Sequence, residues 1–378
     1  SSHRMRWGIR DMSASESCLA VGLMSGTSMD GIDAALIRTD GVSAFEPIAQ
    51  LDRPYDSDFR AKLRAVVGIA GSHDDVAAEL TVRHVAIVRE LLAAAGVSAE
   101  KVSVVGFHGH TVFHDPDNGR TVQIGDGQTL AREVGVDVVA DFRAADMAAG
   151  GQGAPFAPLF HVVRAPSDRP VCFLNIGGVA NLTWIGDGAR AGHDDLFVHI
   201  RAFDTGPGGA LLDDWVYRHT GDPFDLDGRL AAAGRIDEAV LATLLDNDYF
   251  QAPPPKSLDR DAFDLSPVEG LSVEDGAATL TAFTARSVLR AVSHLPQRPV
   301  RWLVTGGGRK NPTLMEQLGR SLDAVVVSTE TAGIDGDAME AQAFAYLAVR
   351  SARGLPLSGP TTTGVSKPTA GGKTFRVT

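Results

Sequence analysis

Cysteine is nearly missing from this 378-residue chain: Cys18 and Cys172 are the only two. Two thiols cannot build a zinc cage, and their spacing matches no redox motif. Reduced thiols in a cytoplasmic protein are therefore expected. Long apolar runs are missing too. None approaches the ~20 residues that a spanning helix needs, so no membrane partner is expected. Positive charge is scarce, with 35 lysines and arginines against 47 acidic residues and a net charge of −12. That balance speaks against broad nucleic-acid or anionic-membrane binding. It leaves room for a phosphorylated ligand held by local backbone donors. No Gly-x-x-x-x-Gly-Lys-Ser/Thr run occurs, which closes the P-loop route to a nucleotide. Residues 1–17 lack the apolar core of a signal peptide and read as a leader or cloning remnant.

What remains is ordinary globular material, 44% hydrophobic and 22% charged. The length exceeds what one core usually supports, so two domains are expected. The chain is organised around residues 20–37, AVGLMSGTSMDGIDAALI. Leu19 to Leu23 reads as a strand entering a turn, and Ile32 to Ile37 as a strand leaving it. Gly26 and Gly31 let the backbone turn tightly and approach a ligand. Successive N–H groups in such a turn form an anion-binding concavity. Thr27 and Ser28 add hydroxyl donors, and Asp30 and Asp33 offer carboxylates to a hydrated magnesium ion. Taken alone, the stretch is equally an ordinary hairpin with a polar tip.

Further along, helical periodicity covers Phe59 to Val67 and Val76 to Ala95. Val102 to Phe107 reads as a buried strand ending in the polar cluster Gly106-Phe107-His108-Gly109-His110-Thr111, either a ligand site or a capped loop. Val136 to Val139 is a strand ending at Asp141 and Arg143, which alone could be a local ion pair. Residues 148–160 are rich in glycine and proline and read as a loop near a domain crossing. Val171 to Asn175, Gly177-Gly178 and Leu182 to Ile185 then repeat the strand–glycine–strand pattern of residues 20–37, which implies a duplicated architecture. Asp204 stands just ahead of the glycine turn Gly206-Pro207-Gly208-Gly209 and a helix from Ala210. A general base, a metal ligand and a helix cap are all open to it. Residues 273–292 form a strong helix. Val300 to Thr305 is a strand opening into Gly306, Gly307 and Gly308, a turn that permits backbone contact with a flat or anionic ligand. A helix runs from Ala338 to Arg350, and the tail 353–378 reads as loosely packed or frayed.

In order, the strings GLMSGTSMDGID, FHGHT, QIGD, VVADFR with AAGGQGAP, NIGGVANLT, FDTGPG, PPKS, TGGGRKNP, DGDAMEAQAFAYLA and PLSGPTTTGV resemble the anhydro-N-acetylmuramic acid kinases of bacterial cell-wall recycling, within the actin/Hsp70/sugar-kinase superfamily. The resemblance implies an α/β fold of two actin-like (ribonuclease H-like) domains with a nucleotide cleft between them. Residues 18–147 with 339–378 would form the first domain and 148–338 the second. It implies ATP and Mg2+, a small sugar substrate, a cytoplasmic setting and a homodimer. It implies hydrolysis of the 1,6-anhydro bridge coupled to phosphorylation of the freed 6-oxygen.

Carried over by position, Gly26, Thr27, Ser28, Met29, Asp30, Gly31, Ile32 and Asp33 hold the triphosphate. Gly306, Gly307 and Gly308 lie beside the adenosine. Asp204 is the base that activates water, and His108, Asp141, Arg143 and Glu340 serve the sugar or the metal; no metal ligand is assigned. The family usually has Gln where His110 stands and Asn where Gly209 stands. Its Lys-Ser-Thr-Gly-Arg loop here reads Lys256-Ser257-Leu258-Asp259-Arg260. A plain sugar-hydroxyl kinase and a non-catalytic ATP-binding sensor are the competing readings.

Overall fold

A computed structural model describes Ser13 and residues 16–377. The expected leader, 1–17, lies outside the described residues apart from Ser13, Glu16 and Ser17. Along the described residues the strands are β1 (Cys18–Ser25), β2 (Gly31–Thr39), β3 (Phe45–Pro54), β4 (Val102–Asp115), β5 (Arg120–Ile124), β6 (Val138–Ala140), β7 (Val171–Ile176), β8 (Val179–Ile185), β9 (Ile200–Pro207), β10 (Arg301–Thr305), β11 (Val325–Ser328) and β12 (Lys373–Phe375). The chain divides into two compact units. One takes in the chain through Val163, Arg190–Asp194 and Ala338 onward; the other takes in Arg164–Ala189 and Asp195–Asp337.

The first unit carries a sheet ordered β12-β6-β4-β1-β2-β3, with β5 paired to β4. β1, β2 and β3 are antiparallel neighbours, whereas β1 and β4, and β4 and β6, run parallel. The second unit's sheet is ordered β11-β10-β7-β8-β9, again with three antiparallel strands followed by two parallel ones. With β5 and β12 set aside, both sheets read third-second-first-fourth-fifth in chain order. The duplication expected from the two glycine hairpins is therefore present as topology, and the order is the ribonuclease H-like one.

In the first unit β1 is buried almost throughout, because both faces are covered. Val21, Leu23 and Leu36 pack with Leu80, Val88 and Leu91 of helix Asp74–Ala95 in one core. That helix stops where Gly96 adopts a left-handed conformation, φ 65°. Helix Met339–Ala352, buried along most of its length, covers the other face with Ala341, Ala345 and Ala348. In the second unit, Leu174, Leu182, Phe203, Trp302 and Val304 form a core with Val288 of helix Val273–Ala291. Ser272 caps that helix by accepting from Asp275 N–H.

Four expectations change. The FHGHT cluster does not end its strand: β4 runs on to Asp115, because β5 returns along it with His110 opposite Ile124 and Thr111 opposite Gln123. The tail is not loose. Ser358 bridges Thr369, and β12 pairs with β6. Residues 148–163, expected in the second domain, pack in the first unit, where the Phe160 ring lies 5.2 Å from Phe45 and 5.6 Å from Tyr346. Asp204 lies within β9, opposite Asn181, and the N-cap of helix Ala210–Thr220 is Gly209.

Candidate functional site

The turn between β1 and β2 is closed by Met29 N–H donating to Gly26 O at 3.0 Å, with Met29 in the left-handed region, φ 59°. Thr27, Ser28 and Asp30 are exposed, while Gly26, Gly31 and Asp33 are half-buried. Met29 and Ile32 send their side chains into the core, so only their backbone can meet a ligand. The two glycines differ in purpose. A Cβ on Gly31 would stand 2.2 Å from Arg53 O, so the adjacent strand demands that glycine. A Cβ on Gly26 would meet nothing nearer than Ser28 Oγ at 3.7 Å. The fold leaves the space over Gly26 for something else.

Three of the four residues expected to serve the sugar or the metal come together in the first unit. Arg143 donates from Nη2 to Nε2 of His108 at 2.8 Å and from Nη1 to Gly153 O at 2.6 Å. His108 in turn donates from Nδ1 to Gly109 O at 2.9 Å. Burial, then the Arg143 cation, hold its pKa well below the usual 6.5. His108 is thus a neutral acceptor that aims a guanidinium, not a proton carrier. Glu340, in the first turn of helix Met339–Ala352, meets solvent, yet its dense surroundings raise its pKa while Arg143 pulls it down. Gly153 is itself fixed, since its N–H donates to the buried carboxylate of Asp146 at 2.8 Å. Ser358 and Thr363 donate to the other Asp146 oxygen. That is why the tail packs, and it was not legible in the sequence. Asp141 stands apart at the end of β6, exposed and left-handed at φ 51°.

In the second unit Asp204 is held on three sides. Leu258 N–H donates to its Oδ2 at 2.7 Å, Tyr249 Oη–H donates to its carbonyl at 2.6 Å, and its own N–H donates to Lys256 O at 3.2 Å. Tyr249 and the Lys256–Leu258 stretch, on either side of the prolines 253–255, thus clamp Asp204. Lys256 is buried beneath it, donating to Tyr249 O at 2.9 Å and lying 4.5 Å from the Tyr249 ring centroid. Burial brings its ammonium down to about 8. Burial and then the Asp204 charge raise the Tyr249 phenol, so it stays protonated as a donor. Tyr249 and the Leu258 N–H carry no sequence signal. A tyrosine in a polar stretch looks like any other, and a backbone donor has no identity.

The glycine turns of this unit interlock. Gly208 N–H donates to Gly178 O at 2.9 Å and Gly209 N–H to Gly177 O at 2.7 Å. In the triple glycine after β10, Gly306 is left-handed at φ 79°, and a Cβ on Gly308 would strike Ile176 at 2.4 Å. A Cβ on Gly307 would meet nothing within 4 Å. Arg309 ties the turn down through Glu330 at 2.8 Å, Asp337 at 3.1 Å and Gly306 O at 2.9 Å. Burial raises the Glu330 pKa, but hydrogen bonds from Arg309 and backbone N–H groups outweigh it and bring it to about 2.

Chemically, the first unit offers an exposed turn of backbone and hydroxyl donors and an aimed guanidinium. The second offers an oriented carboxylate and an open glycine. Among the described residues, no three His, Cys, Asp or Glu side chains converge as a metal cage.

The family model described as anhydro-N-acetylmuramic acid kinase matches residues 18–376. The chain is similar to an anhydro-N-acetylmuramic acid kinase of Rhizorhabdus wittichii, 54% identical over 368 residues, covering 95% of this chain and 99% of that one. It is similar also to one of Rhodospirillum rubrum, 55% identical over 359 residues, covering 93% of each. Among solved structures, the activator of the 2-hydroxyisocaproyl-CoA dehydratase from Clostridium difficile with bound ADPNP aligns at 14% identity and TM-score 0.45, covering 89% of this chain and 96% of that one. A ROK family glucokinase from Streptomyces griseus in complex with glucose and AMPPNP aligns at 16% and 0.40, covering 87% and 99%.

Proposed function

Because the chain belongs to the anhydro-N-acetylmuramic acid kinase family, we propose a division of labour among its residues for that reaction. The enzyme uses ATP to convert 1,6-anhydro-N-acetylmuramic acid into N-acetylmuramic acid 6-phosphate and ADP, a step of peptidoglycan recycling. Water attacks the anomeric carbon, the bond from that carbon to the 6-oxygen breaks, and the 6-oxygen takes the γ-phosphoryl group. Asp204 accepts the proton from the attacking water. The leaving oxygen acquires phosphorus in place of a proton, so no second carboxylate is needed opposite Asp204, unlike in ordinary glycosidases.

The turn Gly26–Asp33 supplies backbone and hydroxyl donors to the triphosphate, and the open face of Gly307 receives the adenosine. Arg143, aimed by His108, faces the acidic group of the sugar, and Glu340 balances its charge. Asp141 belongs to the sugar side of the same proposal. Magnesium, bound together with ATP, would screen the phosphate charge. The exposed Asp30 and half-buried Asp33 fit such an ion, which keeps most of its waters and takes one or two carboxylates. The proposal includes two actin-like domains corresponding to the two units, and a cytoplasmic homodimer. Both cysteines are free, and among the described residues no helix is long and apolar enough to cross a membrane.

The observation that carries this reading is the family match across nearly the whole chain, joined to the clamped carboxylate of Asp204, which we assign as the base. The test is turnover of the anhydro sugar with ATP in oxygen-18 water. Early incorporation of label at the anomeric hydroxyl is expected. A phosphorylated product without label would make the protein a plain hydroxyl kinase, and no product at all would make it a sensor.

A further inference from the structure

Two residues outside the assigned site grip the β1–β2 turn from below. Tyr55, one residue beyond β3, is buried and seated edge-on against Phe59 at 4.8 Å. Its N–H donates to Asp30 O at 2.8 Å, at the downstream end of the turn. Its Oη lies 2.7 Å from Ser25 Oγ, at the upstream end. Ser25 Oγ also lies 2.9 Å from Nδ1 of His110. Ser25 and His110 are fully buried and face each other where the β1–β4 register breaks. The other His110 nitrogen, Nε2, has no hydrogen-bond partner, so the polar contact of this ring is directed at Ser25.

A buried polar chain of this kind is costly to leave half-made and holds its members in one arrangement. A single tyrosine spans both ends of the turn, and a histidine closes the chain from the neighbouring strand. We propose that Tyr55 and His110 are positioning residues, acting through Ser25, that hold the Gly26–Asp30 turn in its phosphate-binding shape. This rests on the reading of that turn as the triphosphate site. Neither residue touches the nucleotide; they set where the donors of residues 26–30 point, a pre-organisation that acts on ATP and not on the sugar.

Tyr55→Phe keeps the ring, its seat on Phe59 and the N–H to Asp30 while deleting only the hydroxyl. Ser25→Ala deletes the shared partner, and His110→Leu removes the other arm. Each is expected to raise the KM for ATP about tenfold, the scale of one lost buried hydrogen bond, and to leave the sugar KM within about twofold. The Tyr55→Phe/Ser25→Ala double variant is expected to be no worse than the more impaired single variant, since both break one chain. His110→Gln, which restores a polar partner, is expected to recover most of the loss. An unchanged ATP KM in both Tyr55→Phe and His110→Leu overturns the proposal. So does a parallel rise in both KM values accompanied by lost thermal stability. Gly26→Val separates the two ideas. If it binds ATP poorly while Tyr55→Phe behaves as wild type, only this inference fails; if it binds ATP normally, the turn is not the triphosphate site.

Discussion

Gly22 of β1 and Gly106 of β4 are register partners in adjacent parallel strands, and the backbone of one helix lies directly on both. A Cβ on Gly22 would stand 1.8 Å from Ala341 O, and one on Gly106 would stand 2.2 Å from Phe344 O. The paired glycines cut a groove in the sheet, and helix Met339–Ala352 fills it with alanines. Glu340 is thereby seated at the start of that helix, close enough to Arg143 to feel its charge.

Gly22→Ala should therefore be a folding mutation. A methyl cannot pass a backbone carbonyl, so the helix must lift off the sheet along its length. Overpacking of this severity costs at least about 3 kcal/mol. Urea unfolding of Gly22→Ala is expected to show that loss, or the protein to accumulate insoluble. A midpoint equal to wild type would mean that the helix does not rest there.

Gly307 makes the opposite case. The space above it is open, so Gly307→Val should move stability by less than about 0.5 kcal/mol, like other surface changes. If adenosine lies against this face, the same valine should raise the ATP KM several-fold and leave the sugar KM alone. Gly308→Val should instead unfold, because its side chain would enter Ile176. Calorimetry with ADP checks the binding half, and a valine variant that binds ADP as well as wild type removes the adenosine from this turn.

Asp204→Asn tests the base. The amide oxygen can still accept from Leu258 N–H, so the clamp survives while the proton acceptor is lost. A fall in kcat of about a thousandfold is expected, within the usual range for a general base, with ADP affinity unchanged. Turnover within tenfold of wild type would take the role of base away from Asp204.

The sequence made some of this plain and hid the rest for physical reasons. Strands β1, β7 and β10 are continuous apolar runs, as strands covered on both faces must be. Helices such as Asp74–Ala95 announce themselves by periodicity and a terminal glycine. Strand β3 escaped because it is an edge: Glu46, Pro47, Asp52, Arg53 and Pro54 leave no alternation to read. Strand β9 escaped because Asp204, Gly206 and Pro207 look like a loop, although their pairing with β8 makes them a strand. The candidate site was legible where it depends on local strings, as at Gly26–Asp33 and Asp204. The contacts that position it were not. Tyr249 reaches Asp204 across 45 residues, and Thr363 reaches Asp146 across 217. Such distances are closed only by the tertiary fold and leave no trace in spacing.

Buried histidines give the first unit an acid weakness. His84, His108, His110 and His161 are all buried there, and among the described residues the second unit buries none. Burial lowers His84 and His110 to about 4 and His161 to about 3, and it holds His108 well below its ordinary value. The unfolded chain takes up these protons near pH 6.5 while the folded chain refuses them until about pH 4. Below pH 6.5 the unfolded state therefore binds more protons, and stability falls as pH falls through that window, with a slope that approaches about 1.4 kcal/mol per pH unit for each such histidine. His84 is the probe, since it makes no contact assigned to ATP or to the sugar. Its Nδ1 donates to Leu80 O at 2.7 Å, its Nε2 has no hydrogen-bond partner, its ring packs on Phe107, and burial is the main cause of its shift, with His110 adding to it. His84→Leu removes one titrating group and fills similar space. Urea unfolding at pH 7, 6 and 5 is expected to show a slope against pH shallower in His84→Leu than in wild type, by a difference that grows toward one proton between pH 6 and 5. Parallel slopes would mean that His84 titrates alike in the folded and unfolded chain, which its burial against Phe107 does not allow.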